Sequence, residues 1–480
     1  MDREKIKLLH SRYNPQAEAD RYVNSLSLDD KIRYFILIEP GIGYMIASLK
    51  KRVPEAKIIT LHAGELRANA PPEWHPGGGI SVQEFLENEI PDSEASEIKM
   101  LEWRPAISVY GQAYLSLVEE TIAFIKRIDA NTRTTRVFGR RWFRNFIRNT
   151  GIIQKTFYPE PFSLPLVITG AGPCLEDTIP LIQKETEKAT VFILAASSSV
   201  MTLENKKLFP DMVISTDGGN WAALHLYECF RGGSLAESGK TLPYPIAISM
   251  TAALPSQCGT LPLLPISDGS LWQTLILKEL NIPYITLPQR GTVSATAMDL
   301  AFLLTSGKIF IAGMDLANYD MRSHARPYSF DRLMEEKEQR MNPVYSQTFR
   351  RSFLLKAGGS YAIYASWFER QLMSYPKRLY SLGKNNVLFD SLNASPCAMA
   401  HCRDKNTGIN FRIVSQNTGT GAPQKAISLL KKALEDPALP SQFSAKLYEE
   451  LTALLLPGRQ RVSRNDLIEA IQSSTIRNGS

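Results

Sequence analysis

Short apolar runs return at intervals between Leu166 and Ala312, and this rhythm constrains the fold more than any other feature of the chain. The runs are Leu166 to Thr169, Val191 to Ala195, Met212 to Thr216, Ile246 to Ser249, Tyr284 to Leu287 and Ile309 to Ala312. Helical segments separate most of them. Such alternation predicts a mostly parallel, open sheet with helices on both faces. In sheets of this kind the ligand crevice lies beyond the carboxyl ends of the strands, so the residues after each run are the candidates for function.

The chain has 480 residues, which is too long for one core and implies two or three domains. A smaller α/β unit is expected over residues 1–112. There Tyr34 to Ile38 runs into the turn Glu39-Pro40-Gly41-Ile42-Gly43, a helix follows, and Ile58 to Leu61 forms a second strand. A basic helical linker is expected over 113–160. In it Arg136, Arg140, Arg144 and Arg148 fall on one helix face, Phe138, Trp142, Phe146 and Ile147 fall near another, and no acid occurs from Asn131 to Lys155. This is either a solvated face or a surface for anions or a partner, since guanidinium suits carboxylate and phosphate. The central domain is expected over 161–328 and a helical region over 329–480. In the latter, Leu333 to Arg340, Tyr361 to Ser374, Pro423 to Glu435, Ser441 to Leu456 and Arg464 to Ser473 read as helices. Ser463 and Asp466 have capping-box spacing, and Pro423 suits a first helical position.

Bulk properties narrow the setting. Five cysteines, at 174, 229, 258, 397 and 402, make no secreted disulfide framework, and Cys397, His401 and Cys402 lack a further neighbouring zinc ligand. Free thiols in a reducing compartment follow. The first residues carry no signal-peptide core and no stretch reaches spanning length, so a cytoplasmic protein without stable membrane insertion is expected. With 55 basic and 48 acidic residues the net charge of +7 draws anionic partners only weakly, and no nucleic acid is expected.

Five strand ends carry residues suited to chemistry. Gly170-Ala171-Gly172-Pro173-Cys174 forms a Gly-rich turn whose amides can approach a phosphate or ribose, although a plain tight turn reads the same way. Ser197 and Ser198 follow the second run. Asp217-Gly218-Gly219 follows the third, where the aspartate can grip a ribose hydroxyl or a divalent cation or simply cap its turn. Gln289-Arg290-Gly291-Thr292-Val293-Ser294 opens an Ala-rich helix with amides and hydroxyls available to a phosphate. Asp315 ends the last run, and Asn318, Tyr319, Asp320 and His324 follow in a polar loop that should overhang the crevice; a loop histidine without duty is the alternative.

Taken together, Gly170 to Pro173, Pro210-Asp211 through Asp217, Gly291 to Ser294 and Gly313-Met314-Asp315-Leu316 through His324-Ala325 resemble the central domain of the motility-associated factor (Maf) flagellin glycosyltransferases. That domain is itself similar to 6-hydroxymethylpterin diphosphokinases (MptE-like) and to bacterial sialyltransferases. The resemblance covers about Leu164 to Ala325, with weaker likeness at Glu39 to Tyr44 and Trp142 to Asn149.

It implies a Rossmann-like, sialyltransferase-like α/β fold and transfer of a nonulosonic acid, such as pseudaminic or legionaminic acid, from a cytidine monophosphate (CMP)-activated donor to Ser or Thr of flagellin. Flagellin and the CMP-sugar are then the partners. Gly170, Gly172, Pro173, Ser197, Ser198, Asp217, Gly291, Thr292, Val293 and Ser294 would hold the nucleotide, with Arg290 near the phosphate. His324 would be the base, with Asp315 or Asp217 replacing it or holding a cation. Serine stands where the sialyltransferases often have Asn, and Cys174 where Ser is usual. No cofactor is certain, and Mg is possible. Two alternatives stand beside this: a Mg- and ATP-dependent 6-hydroxymethylpterin diphosphokinase, in which Asp217 and Asp315 bind metal, and a non-catalytic flagellin- or nucleotide-binding protein.

Overall fold

The computed structural model describes residues 9–29, 32–65, 68, 72–90, 97–187, 191–231, 245–316, 322–343, 346, 367–368, 371, 374–375, 377–382, 411–415, 421–459 and 462–474. Two compact units result, Met1–Gly139 with Thr452–Gln460 and Arg140–Leu451 with Arg461–Ser480.

In the first unit the order is α1 (Pro15–Ser25), β1 (Tyr34–Ile38), α2 (Tyr44–Arg52), β2 (Lys57–Leu61), β3 (Glu73–Trp74), α3 (Val82–Glu89), β4 (Ile98–Glu102) and α4 (Ala106–Tyr110). The strands make an all-parallel sheet in the order β3-β2-β1-β4. Phe35 to Ile38 are fully buried, which is why β1 reads as a continuous apolar run rather than an alternating one. Ser81 opens α3 by accepting a hydrogen bond from the Glu84 amide. At Gly41, with φ +61°, a Cβ would lie 2.1 Å from His10 Nε2, so only glycine permits the turn after β1.

Helix α5 (Gln112–Ile152) is a single 41-residue helix, and the division between the units falls within it. Most of the stretch expected as a basic helical linker over 113–160 lies in this helix. Its later turns carry Phe143, Asn145, Phe146 and Asn149 into the buried interior of the second unit.

That unit holds a ten-stranded sheet. In chain order come β5 (Lys155–Pro159), β6 (Leu166–Thr169), α6 (Leu175–Thr186), β7 (Phe192–Ala196), α7 (Val200–Asn205), β8 (Met212–Ser215), α8 (Ala223–Arg231), β9 (Ile246–Ser249) and β10 (Pro262–Ser267). Then follow α9 (Leu271–Glu279), β11 (Ile285–Thr286), α10 (Val293–Leu304), β12 (Ile309–Ala312), α11 (Asp331–Glu336), β13 (Leu379–Ser381), β14 (Phe411–Ser415), α12 (Ala422–Glu435), α13 (Ser441–Leu455) and α14 (Arg464–Ser473). The strand order is β13-β12-β6-β7-β8-β9-β10-β5-β14 with β11 beside β10, and every pairing but β5 with β14 is parallel.

From β6 the chain steps outward through β7, β8, β9 and β10, then returns by α10 to place β12 on the other side of β6. By the right-handed rule for parallel crossovers, this strand order assigns α6, α7 and α8 to one face and α10 to the opposite one. Helix α10 packs on β6, β7 and β8 through Ala295, Ala297, Met298 and Ala301, whose small size lets it lie close to the sheet. The direction of the chain thus reverses between β6 and β12, the place where open α/β sheets part to admit ligands.

The carboxyl-terminal helices α12, α13 and α14 stand where the periodicity predicts them. Pro423 sits in the first turn of α12, and Ser463 and Asp466 form a full capping box at α14. The expected helix at Leu333 to Arg340 begins and ends earlier, as α11, and that at Tyr361 to Ser374 lies largely outside the described residues. Strands β13 and β14 add to the sheet from a region read as helical. Among the described residues no helix is long and apolar enough to cross a membrane.

Candidate functional site

At the reversal, the turns after β6 and β12 touch. The Gly170 amide donates to Ala312 O at 2.8 Å and the Gly172 amide to Gly313 O at 2.7 Å. A Cβ on Gly170 would lie 2.4 Å from Gly313 O, and one on Gly313, where φ is +63°, 2.4 Å from Gly170 O. Two glycines are what let these backbones meet. The Cys174 amide donates to Asp315 Oδ2 at 2.8 Å, and its thiol donates to Asp315 Oδ1.

The amides of Gly170 and Gly172 are thus paired with the neighbouring turn, and Asp315 is engaged as the clamp between the turns. Burial pushes the Asp315 carboxyl above its ordinary value even though both bonds from Cys174 oppose this. Burial, and next the adjacent Asp315 charge, push the thiol far up as well, so it stays protonated. Pro173 is buried within the same turn.

Beyond β7 and β8 lies a row of hydroxyls. Thr169 Oγ1 meets Ser199 Oγ at 3.0 Å, and Ser197 Oγ donates to Ser215 Oγ at 3.3 Å. Ser197 is only 3% exposed, which leaves Ser198 as the serine presented at the edge. Asp217 is exposed, and its Oδ1 accepts from the Gly219 amide at 2.8 Å, the turn-capping role that the sequence left open.

Sequence reasoning missed the residues that hold these loops. The side-chain amide of Asn145 donates to Gly218 O and Thr251 O, both at 3.0 Å. That of Asn149 donates to Met250 O at 3.0 Å and Ala252 O at 2.9 Å. Trp142 covers Gly218, where a Cβ would come within 2.5 Å of its ring. The pair stands one turn apart on the apolar face of α5, beside Phe143 and Phe146, which pack on Trp272. Two asparagines spaced i, i+4 on an apolar face were the available signal. On the basic face Arg144 and Arg148 remain exposed, and the Arg148 guanidinium reaches Leu254 O.

Helix α10 begins with Thr292 as N-cap, its Oγ1 accepting from the Ala295 amide at 3.0 Å. Gly291, at φ +75°, is exposed, and Thr292, Val293 and Ser294 are half-buried. Because α10 runs opposite to the strands, its first turn and unpaired amides lie on the carboxyl edge of the sheet. Arg290, just before this turn, is anchored on both sides. Its Nε contacts Asp299 Oδ2 at 2.7 Å and its guanidinium lies 5.3 Å from the Trp367 ring.

His324 sits on the loop that follows β12. Its ring lies parallel to Tyr328, 4.0 Å between centroids with a 7° tilt, and Nδ1 is 2.9 Å from Ser323 Oγ. Ala325 N donates to Ala171 O at 2.8 Å, and Glu176 Oε1 accepts from the Arg326 amide and the Arg322 guanidinium, each at 2.8 Å. Asn318, Tyr319 and Asp320 lie outside the described residues, as do Cys397, His401 and Cys402.

The reversal therefore gathers Gly170, Gly172, Pro173, Asp315 and the loop of His324. Asp217 belongs to the β8 turn and Gly291 to Ser294 to the start of α10, which share with the first group the carboxyl edge of the sheet. Among the described residues no set of three His, Cys, Asp or Glu is arranged to hold a metal ion. Asp217 and Asp315 do not fit a shared Mg ion either, because one caps its own turn and the other is held by Cys174.

Comparison with known proteins bears on this arrangement. Residues 141–321 match the family described as 6-hydroxymethylpterin diphosphokinase MptE-like. The central domain resembles that family. It is the kind of domain that the resemblance to the motility-associated factor family calls for, and it begins within α5, so that Asn145 and Asn149 belong to it. An "Uncharacterized protein" of Treponema pallidum (strain Nichols) is 27% identical over 292 residues, 60% of this chain and 60% of that one. The chain thus covers about three fifths of the length of that curated relative. The MptE-like domain and its flanking regions are also similar to the solved structure of MAf glycosyltransferase from Magnetospirillum magneticum AMB-1, at 12% identity and a TM-score of 0.44, over 92% of this chain and 72% of that one.

Proposed function

We propose that the chain is a cytoplasmic glycosyltransferase that moves a nonulosonic sugar from a CMP-activated donor to Ser or Thr of flagellin. The reading rests on the ordered motifs of the MptE-like domain. The observation that carries it is the start of α10, a capped and half-buried helix terminus on the carboxyl edge with Thr292, Val293 and Ser294 in its first turn. A leaving phosphate gathers charge as it departs, and fixed amides with a helix dipole stabilise that charge without reorganising.

In the step itself, the acceptor oxygen bonds to the anomeric carbon. The bond from that carbon to the phosphate oxygen breaks, with its electron pair going to CMP. The hydroxyl proton passes to His324, which a neutral imidazole accepts near neutral pH. Ser198 and Asp217, at neighbouring strand ends, are proposed contacts for the nucleotide.

The description of the family favours a second reading, pyrophosphoryl transfer from Mg-ATP to a pterin. The two carboxylates it needs for metal are tied up separately, which favours the first. Thermal shift separates the two. CMP at 100 times its dissociation constant should stabilise the protein by about 2.7 kcal/mol, and stabilisation by Mg-ATP alone would select the kinase. Ser294→Asp should abolish the CMP shift while leaving the fold at least as stable, since an acid suits a helix start but repels phosphate. An unchanged CMP shift in that variant would remove α10 from the site.

A further inference from the structure

His324 does not stand alone on its loop. Tyr328, buried and 6% exposed, carries the imidazole on one side and packs against two more rings, His225 at 5.4 Å and Phe330 at 5.2 Å. His225, on α8, stacks on Phe330 at 4.7 Å with a 19° tilt, and its Nδ1 lies 3.1 Å from Ser329 Oγ. Burial lowers His225 to about 4, so it remains a neutral ring in this stack at physiological pH. The backbone is tied down at the same place, with Ala325 N on Ala171 O at 2.8 Å and Thr202 Oγ1 donating to Pro327 O at 3.0 Å. A tyrosine fixed on that many sides gives the ring laid parallel upon it one orientation. The serine beside it bears on a different property. An imidazole that takes a proton at Nε2 carries its own hydrogen on Nδ1, and Ser323 Oγ, 2.9 Å away, is placed to accept it.

We propose that Tyr328 and Ser323 are positioning residues for His324, the phenol ring fixing the plane of the imidazole and the hydroxyl fixing its tautomer, so that Nε2 receives the proton of the acceptor hydroxyl. This deepens the transferase reading and depends on His324 being its base. Neither residue contacts the reacting atoms in this scheme, so their loss acts on turnover and not on donor binding. A base displaced by about 1 Å forfeits roughly 100-fold in rate.

The test is steady-state transfer from CMP-pseudaminic and CMP-legionaminic acid to flagellin, with CMP release as the readout. Ser323→Ala and Tyr328→Ala should each lower kcat about 10- to 100-fold with KM for the donor unchanged. Ser323→Thr and Tyr328→Phe, which keep the hydroxyl and the ring, should restore most of it. Ser323 is half-exposed, so its variants report even where Tyr328→Ala fails to fold. Undiminished transfer by His324→Ala would refute the base itself. Transfer lost in His324→Ala but intact in Ser323→Ala and in folded Tyr328→Ala would refute the positioning alone.

Discussion

Gly170→Ala tests the closure of the β6 and β12 turns. The added Cβ would sit 2.4 Å from Gly313 O and 3.1 Å from Met314 Cγ. The side chain can swing away, but the carbonyl is backbone held by the Gly172 amide at 2.7 Å. Relief requires the turns to part, which stretches that bond and the one from Gly170 to Ala312 O. Two hydrogen bonds at about 1 kcal/mol each, with about 1 to 3 kcal/mol for overpacking, give a loss of about 3 to 5 kcal/mol. At about 2 to 4 °C per kcal/mol for a large domain, the melting temperature followed by circular dichroism should fall by at least about 6 °C. Gly421→Ala is the control, because φ there is −86° and nothing lies within 4 Å of the added atom. A Gly170→Ala protein that melts within about 2 °C of the wild type would refute the argument, whatever the control does.

Asn149→Ala leaves the carbonyls of Met250 and Ala252 without their donor in an interior where Asn149 is 1% exposed. Urea unfolding should register a loss of about 2 to 3 kcal/mol, and a loss below about 0.5 kcal/mol would mean that α5 does not hold those loops. Glu450 is a pH-dependent case. Its Oε2 accepts from the amides of Leu271 and Trp272, yet burial, the larger influence, raises it from 4.5 to about 6. The folded protein then binds the proton more tightly than the unfolded chain does. The stability Glu450 contributes is fully present below pH 4.5 and is lost as pH rises through 6. Relative to Glu450→Gln, the wild type should gain about 2 kcal/mol between pH 7 and pH 4.5 in urea midpoints, and an unchanged difference would contradict the assignment.

The central sheet was legible because β6, β7, β8 and β12 are buried on both faces, and burial on both faces leaves an uninterrupted apolar run. Helix starts were legible where the signal is local, as at Thr292 for α10 and Ser463 for α14. What escaped depends on chain separation. Cys174 meets Asp315 across 141 residues, and Asn149 meets Ala252 across 103, so no window of sequence contains either bond. The same distance hid the partners of the Gly170 and Gly172 amides. A Gly turn after a strand looks alike whether its amides face a phosphate or another turn, and the choice was decided by Gly313 after β12. Strands β13 and β14 were hidden because only pairing with β12 and β5 makes such short segments extended.

The most direct measurement of the transferase account is the intact mass of flagellin after incubation with this protein and a CMP-activated nonulosonic acid. The account predicts a mass increase of one or more sugar residues and release of an equal amount of CMP. Flagellin of unchanged mass, alongside a diphosphorylated pterin formed from Mg-ATP, would contradict it.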